Sequence, residues 1–120
     1  MNNPQWIIDL FASIDAMDTS KFVSFMTEDA VFTFGNAPAS QGKKAIFDGV
    51  DGFFKSITSI KHHDLQTIGT DDYIVVRGNS TYTRHSGSVM TVGFCNIFEM
   101  ENNLIKNYRI YIDLSQLYAE

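Results

Sequence analysis

The sequence predicts an α+β domain, with three helices packed on one face of a curved antiparallel sheet in the order α-α-β-α-β-β-β-β. Two observations carry this. In the first half, apolar residues recur at helical spacing at Trp6, Ile7, Leu10, Phe11, Ile14 and Met17, and again at Ile46, Val50, Phe53, Phe54, Ile57 and Ile60. From Lys61 the period changes to two, and turn-forming clusters divide the rest into four strands joined as a meander.

Each element has its own local reason. Asn3-Pro4 opens the first helix as cap residue and first-turn proline. Asp18-Thr19-Ser20 breaks that helix and caps a short second one, with Phe22, Val23, Phe25 and Met26 on its inner side. Residues 30–34 are branched and aromatic and form a strand. A loop from Gly35 to Ser40 leads to Gly42, after which the third helix starts. Gly49 and Gly52 inside that helix each cost about 1 kcal/mol relative to alanine, so close packing against them is expected. The strands fall at 61–69, 73–84, 89–100 and 104–113, with turns at Gly69-Thr70-Asp71-Asp72, His85-Ser86-Gly87-Ser88 and Glu101-Asn102-Asn103.

The 120 residues make one domain, 1–120, long enough to bury a core without disulfides. Ten Phe, five Tyr and Trp6 supply much of that core. Fourteen acidic against nine basic residues give a net charge of −5, which argues against a nucleic-acid or anionic-membrane partner. Cys95 is alone, so no internal disulfide or cysteine metal site is expected. No apolar run approaches the ~18–20 residues of a membrane span, and Met1-Asn2-Asn3-Pro4 lacks the basic start of a signal peptide. The expectation is a cytoplasmic protein without metal or cofactor.

Alternation along the strands assigns side chains to faces. In 61–69 the polar set His62, Asp64 and Gln66 should be solvated, leaving His63, Leu65 and Thr67 to point inward. In 89–100 Met90, Val92, Phe94, Asn96, Phe98 and Met100 form a bulky inner face in which Asn96 is a lone amide. In 104–113 Tyr108, Ile110 and Ile112 point in, with Asn107, Arg109 and Asp113 outside. Both faces of 73–84 carry apolar residues, so its facing stays open. The helices and curved sheet would enclose a largely apolar cavity of the kind that binds small ligands.

Phe34-Gly35-Asn36-Ala37-Pro38, Gly42-Lys43-Lys44-Ala45-Ile46, Phe98-Glu99-Met100 and Tyr108-Arg109-Ile110-Tyr111-Ile112-Asp113 are the most specific stretches. Together they resemble the nuclear transport factor 2-like superfamily in its SnoaL-like (polyketide cyclase-like) branch, over nearly the whole length. The resemblance implies a cone-shaped sheet around an apolar cavity and dimerisation through the outer sheet face. Function varies across this superfamily, so residues are carried over one by one. Against limonene epoxide hydrolase, the catalytic aspartate falls on Ile110, the Arg-x-Asp element on Arg77-Gly78-Asn79, and the loop Tyr-x-Asn on Phe34-Gly35-Asn36. Against ketosteroid isomerase, the base falls on Thr33 or Phe34, the helix-one tyrosine on Leu10, and the second aspartate near Asn96. Both reactions need a carboxylate at the substrate, and every matched position lacks one.

The leading expectation is therefore a homodimeric cavity protein that binds a small, largely apolar molecule through Phe34, Asn36, Arg77, Asn79, Asn96 and Tyr108. With Arg77 and the amides as donors, the ligand should be uncharged or anionic. If there is isomerase, cyclase or dehydratase chemistry, His63 is the candidate base. Asp113 is the acid nearest the pocket; strand parity puts it outside, and a β-bulge would turn it inward. The alternative is a non-catalytic dimeric ligand-binding or interaction module, with its cavity filled by side chains. An enzyme would instead place His63 within hydrogen-bond reach of the cavity, oriented by a second residue.

Overall fold

Residues 3–119 are described in the computed structural model. Helices α1 (Gln5–Asp15), α2 (Thr19–Val23) and α3 (Lys43–Lys55) pack on a curved, unclosed sheet of six strands. The strands are β1 (Met26–Phe34), β2 (Ser40–Gln41), β3 (Ser59–Gly69), β4 (Tyr73–Thr83), β5 (Val89–Glu101) and β6 (Leu104–Ile112). Their spatial order is β2-β1-β6-β5-β4-β3. The expected α+β class and the β3–β6 meander are present. The sheet, however, is mixed rather than antiparallel. β1 runs parallel to β6, with Phe32 opposite Tyr108 and Phe34 opposite Ile110, and the two-residue β2 is an addition to the expected order.

Two local expectations are corrected. Pro4, not Asn3, is the cap of α1, and its carbonyl accepts from the amides of Ile7 and Ile8. Asn3 instead donates to the Leu65 carbonyl at 3.2 Å and accepts from the Thr67 hydroxyl at 2.6 Å, tying the start of α1 to β3. Those partly buried β3 groups need partners more than the solvent-facing helix end does. In α3, a Cβ on Gly49 would meet only the Ser40 hydroxyl at 3.9 Å, and one on Gly52 would meet nothing within 4 Å. No packing demands either glycine, so α3 carries their cost uncompensated. Asp18 does cap α2, accepting from the Lys21 amide at 3.0 Å.

The core is an aromatic chain. Trp6 meets Phe98 edge-on at 5.7 Å, Phe98 lies 4.4 Å from Tyr108, and Tyr108 meets Phe32 at 5.0 Å. Ile7, Leu10, Phe11 and Ile14 lay one stripe of α1 against it.

One irregularity positions the site. His63 pairs with Asn79 and Gln66 with Arg77, so Asp64 and Leu65 together oppose the single residue Gly78. This is a β-bulge, and Asp64 takes the left-handed φ of +59° that it requires. A Cβ on Gly78 would lie 3.0 Å from the His63 carbonyl and 3.0 Å from Leu65, tighter than ordinary contact, so a larger residue opposite the bulge would push its neighbours aside. The extra residue inverts the alternation of β3 on its near side. Ile60 and His62 point inward before the bulge, and Leu65 and Thr67 after it.

Candidate functional site

A cavity of about 40 Å³ lies between α1, α3 and the concave sheet face. Its wall is mostly aromatic and aliphatic, interrupted by five polar side chains: His62, Ser80, Tyr82, Asn96 and Tyr108. The facing of β4, open from sequence, is settled: Ile74, Val76, Ser80 and Tyr82 point in.

His62 is held on three sides. Its ring lies 4.8 Å from Phe11 and 5.4 Å from Phe94, both edge-on. Its Nδ1 is 2.6 Å from Oδ1 of Asp15, the last residue of α1. The same carboxylate accepts from the His62 backbone amide at 3.1 and 3.2 Å. Only 8% of the His62 side chain is exposed, against 28% for Asp15. An ionised carboxylate can only accept, so the proton in this bond sits on Nδ1. In the neutral ring this leaves the Nε2 lone pair free of the carboxylate, the arrangement of a positioned general base.

Two of the other polar groups, Asn96 and Tyr108, each carry a buried atom without a protein partner. Asn96 is 2% exposed, and its buried Oδ1 has no hydrogen bond. Tyr108 is fully buried, and its hydroxyl has none either. Burial pushes the Tyr108 phenol far above its ordinary range. Burial also raises that of Tyr82, whose oxygen accepts from Ser80 at 3.2 Å. Both phenols therefore remain neutral O–H groups. An unpaired buried polar atom costs about 1–3 kcal/mol, which a molecule bound in the cavity would recover by pairing with it.

The sequence-predicted residues are distributed unevenly around this site. Phe34, Asn96 and Tyr108 line the cavity. Asn36 and Asp113 line a neighbouring pocket that shares Phe34, Phe53 and Ile112 with the cavity, where Asp113 is exposed and accepts from the Ser115 amide at 2.9 Å. Hydrogen bonding from Ser115, its side chain first and its amide second, holds the Asp113 carboxyl below the usual range and ties it to the tail. His63, Arg77 and Asn79 are not in the cavity at all. The bulge puts His63 on the outer face, bonded to Asp64 at 3.1 Å and to the Thr81 hydroxyl at 3.0 Å. Arg77 donates to Gln66 at 2.8 Å, and Asn79 to Asp64 at 3.1 Å, both on that same face. Neither Lys nor Arg lines the cavity, which removes the reason for an anionic ligand. Asp15 and His62 were missed as a pair because the bulge reverses parity. Gly78 in mid-strand was the available signal, since an interior strand glycine often marks a bulge. Among the described residues, no group of three or more His, Cys, Asp or Glu is placed to hold a metal ion.

Solved structures share this fold, among them proteins described as nuclear transport factor 2-like and as having the ketosteroid isomerase-like fold. A protein of that fold from Catenulispora acidiphila, in complex with trimethylamine, superposes with a TM-score of 0.88 at 11% identity, covering 98% of this chain and 92% of that one. A candidate polyketide cyclase from Xanthomonas campestris pv. campestris gives 0.86 at 13% identity, over 96% and 93% of the two chains. TerC, co-crystallised with polyporic acid, gives 0.83 at 16% identity, over 96% and 94%. No curated protein matches the sequence. The SnoaL-like domain profile matches residues 7–108, and the chain belongs to that family.

Proposed function

We propose that this protein binds a small, largely apolar molecule in the cavity and removes a proton from it, as an isomerase, cyclase or dehydratase does. His62 is the base, Asp15 is its positioning residue, and Asn96 and Tyr108 meet the oxygen or nitrogen atoms of the ligand. The observation that carries this reading is the 2.6 Å bond from His62 Nδ1 to Asp15 within an otherwise apolar wall. A histidine fixed in one tautomer at a cavity has the form of a catalytic base. Membership of a family whose structural relatives include a candidate polyketide cyclase supports the class of chemistry. A second copy of the chain on the outer sheet face belongs to the same reading. Tyr111 there is 51% exposed and stacked under Arg109 at 5.7 Å, an aromatic–arginine pairing common at interfaces.

The test uses 5-nitrobenzisoxazole, which loses one carbon-bound proton to a base as its N–O bond breaks, releasing a coloured phenolate. The wild type is expected to accelerate this reaction, with a loss of ~10²–10⁴-fold in His62→Ala. Asp15→Asn should lower the rate with little change in apparent affinity. Equal rates in wild type and His62→Ala would overturn the assignment.

A further inference from the structure

At about 40 Å³ the inner cavity has room for a few water molecules, so an organic ligand needs it enlarged. Immediately outside it lies a vestibule of about 360 Å³, bounded by Asn36, Asp113, Leu114 and Tyr118. The two spaces share three wall residues, Phe34, Phe53 and Ile112. Phe34 and Phe53 meet edge-on at 4.9 Å, and Phe53 reaches Tyr82 at 6.1 Å. These side chains are thus a partition within one site rather than a boundary between two.

The partition is mounted on a weak support. Phe53 follows Gly52 directly and stands one turn beyond Gly49, the two glycines of α3 that no packing requires. Glycine loosens a helix, and here it does so on the turn that carries the partition. The tail sits against the same helix end, where Tyr118 and Ser56 share a hydrogen bond of 2.7 Å.

We infer that Phe53 is the specificity-determining residue of this site. Its displacement joins cavity and vestibule into one pocket of ordinary ligand size, about 300–1,000 Å³. The ligand is accordingly elongated. Its reacting end lies at His62, Asn96 and Tyr108, and a longer apolar body passes Phe34 and Phe53 into the vestibule. This rests on the reading of His62 as the base, and it adds the length and shape of the molecule that base acts on.

The experiment measures affinity for 4-alkylphenols from ethyl to octyl by calorimetry, in wild type, Phe53→Ala, Phe53→Leu and Gly49→Ala/Gly52→Ala. Removing the partition abolishes the fraction of time the site is closed, so Phe53→Ala should bind the longer phenols about tenfold more tightly. Phe53→Leu, a milder change that keeps the core filled, should move in the same direction. The double alanine variant should bind all of them more weakly than wild type while melting higher. Identical length profiles in wild type and both Phe53 variants would overturn the inference, as would double-alanine binding no weaker than wild type. The His62→Ala rate on 5-nitrobenzisoxazole fails or holds separately, so loss of the base and loss of the partition are distinguished.

Discussion

Exchanging either of two adjacent histidines for alanine separates their roles. His63→Ala removes bonds to Asp64 and Thr81 on an exposed face, so stability should change within about 0.5 kcal/mol and turnover of 5-nitrobenzisoxazole should match wild type. A rate loss in His63→Ala equal to that in His62→Ala would show that the two point the same way. Gly78 makes the distinction possible. Gly78→Ala forces a Cβ to within 3.0 Å of the His63 carbonyl, so it should destabilise by about 1–3 kcal/mol in urea melts. It should also lower the His62-dependent rate, because straightening β3 would draw His62 away from Asp15. Residue-level reading of the sequence succeeded where alternation was regular. Asn96 and Tyr108 stand in an unbroken inward row on β5 and β6. It failed for His62 and His63, which lie beside a bulge signalled only by Gly78 on the facing strand, and it left the facing of Arg77 and Asn79 open.

At the scale of elements, α3 and its partners are the most informative. The Gly52 site is open and its φ is not left-handed, so Gly52→Ala should raise stability by about 0.4–1 kcal/mol in a urea titration. The α2–α3 contact supplies a pH dependence. Asp51 is bonded by Lys55 at 2.9 Å and by the Thr19 hydroxyl at 2.9 Å, and these hold its carboxyl below its ordinary value. A carboxyl whose folded value is depressed stabilises the fold fully above its unfolded value, and that contribution is lost as pH falls through the folded one. The urea midpoint should therefore fall below about pH 4 in the wild type, and less steeply in Asp51→Asn. Helices and meander strands were legible because each carries its own period and its own turns. The parallel pairing of β1 with β6 was not, since strands far apart in sequence leave no local mark of their register.

Over the whole molecule, one chain brings together residues that are distant in sequence: Asp15 from the end of α1, His62 from β3, Asn96 from β5 and Tyr108 from β6. Among the described residues, no helix is long and apolar enough to cross a membrane. The proposed pairing through the outer face predicts a species of twice 13.5 kDa in sedimentation at micromolar concentration, converted to the single mass by Tyr111→Glu. A wild type that sediments only at 13.5 kDa would refute that pairing while leaving the cavity chemistry intact. The central claim is that the fold holds His62 as a base oriented by Asp15, and nitrogen NMR of the imidazole rings tests it most directly. In its neutral form His62 should be the Nδ1–H tautomer with an unprotonated Nε2, and Asp15→Asn should shift that balance while the His63 signals stay fixed. An Nε2–H tautomer for His62, or a tautomer indifferent to Asp15→Asn, would contradict it.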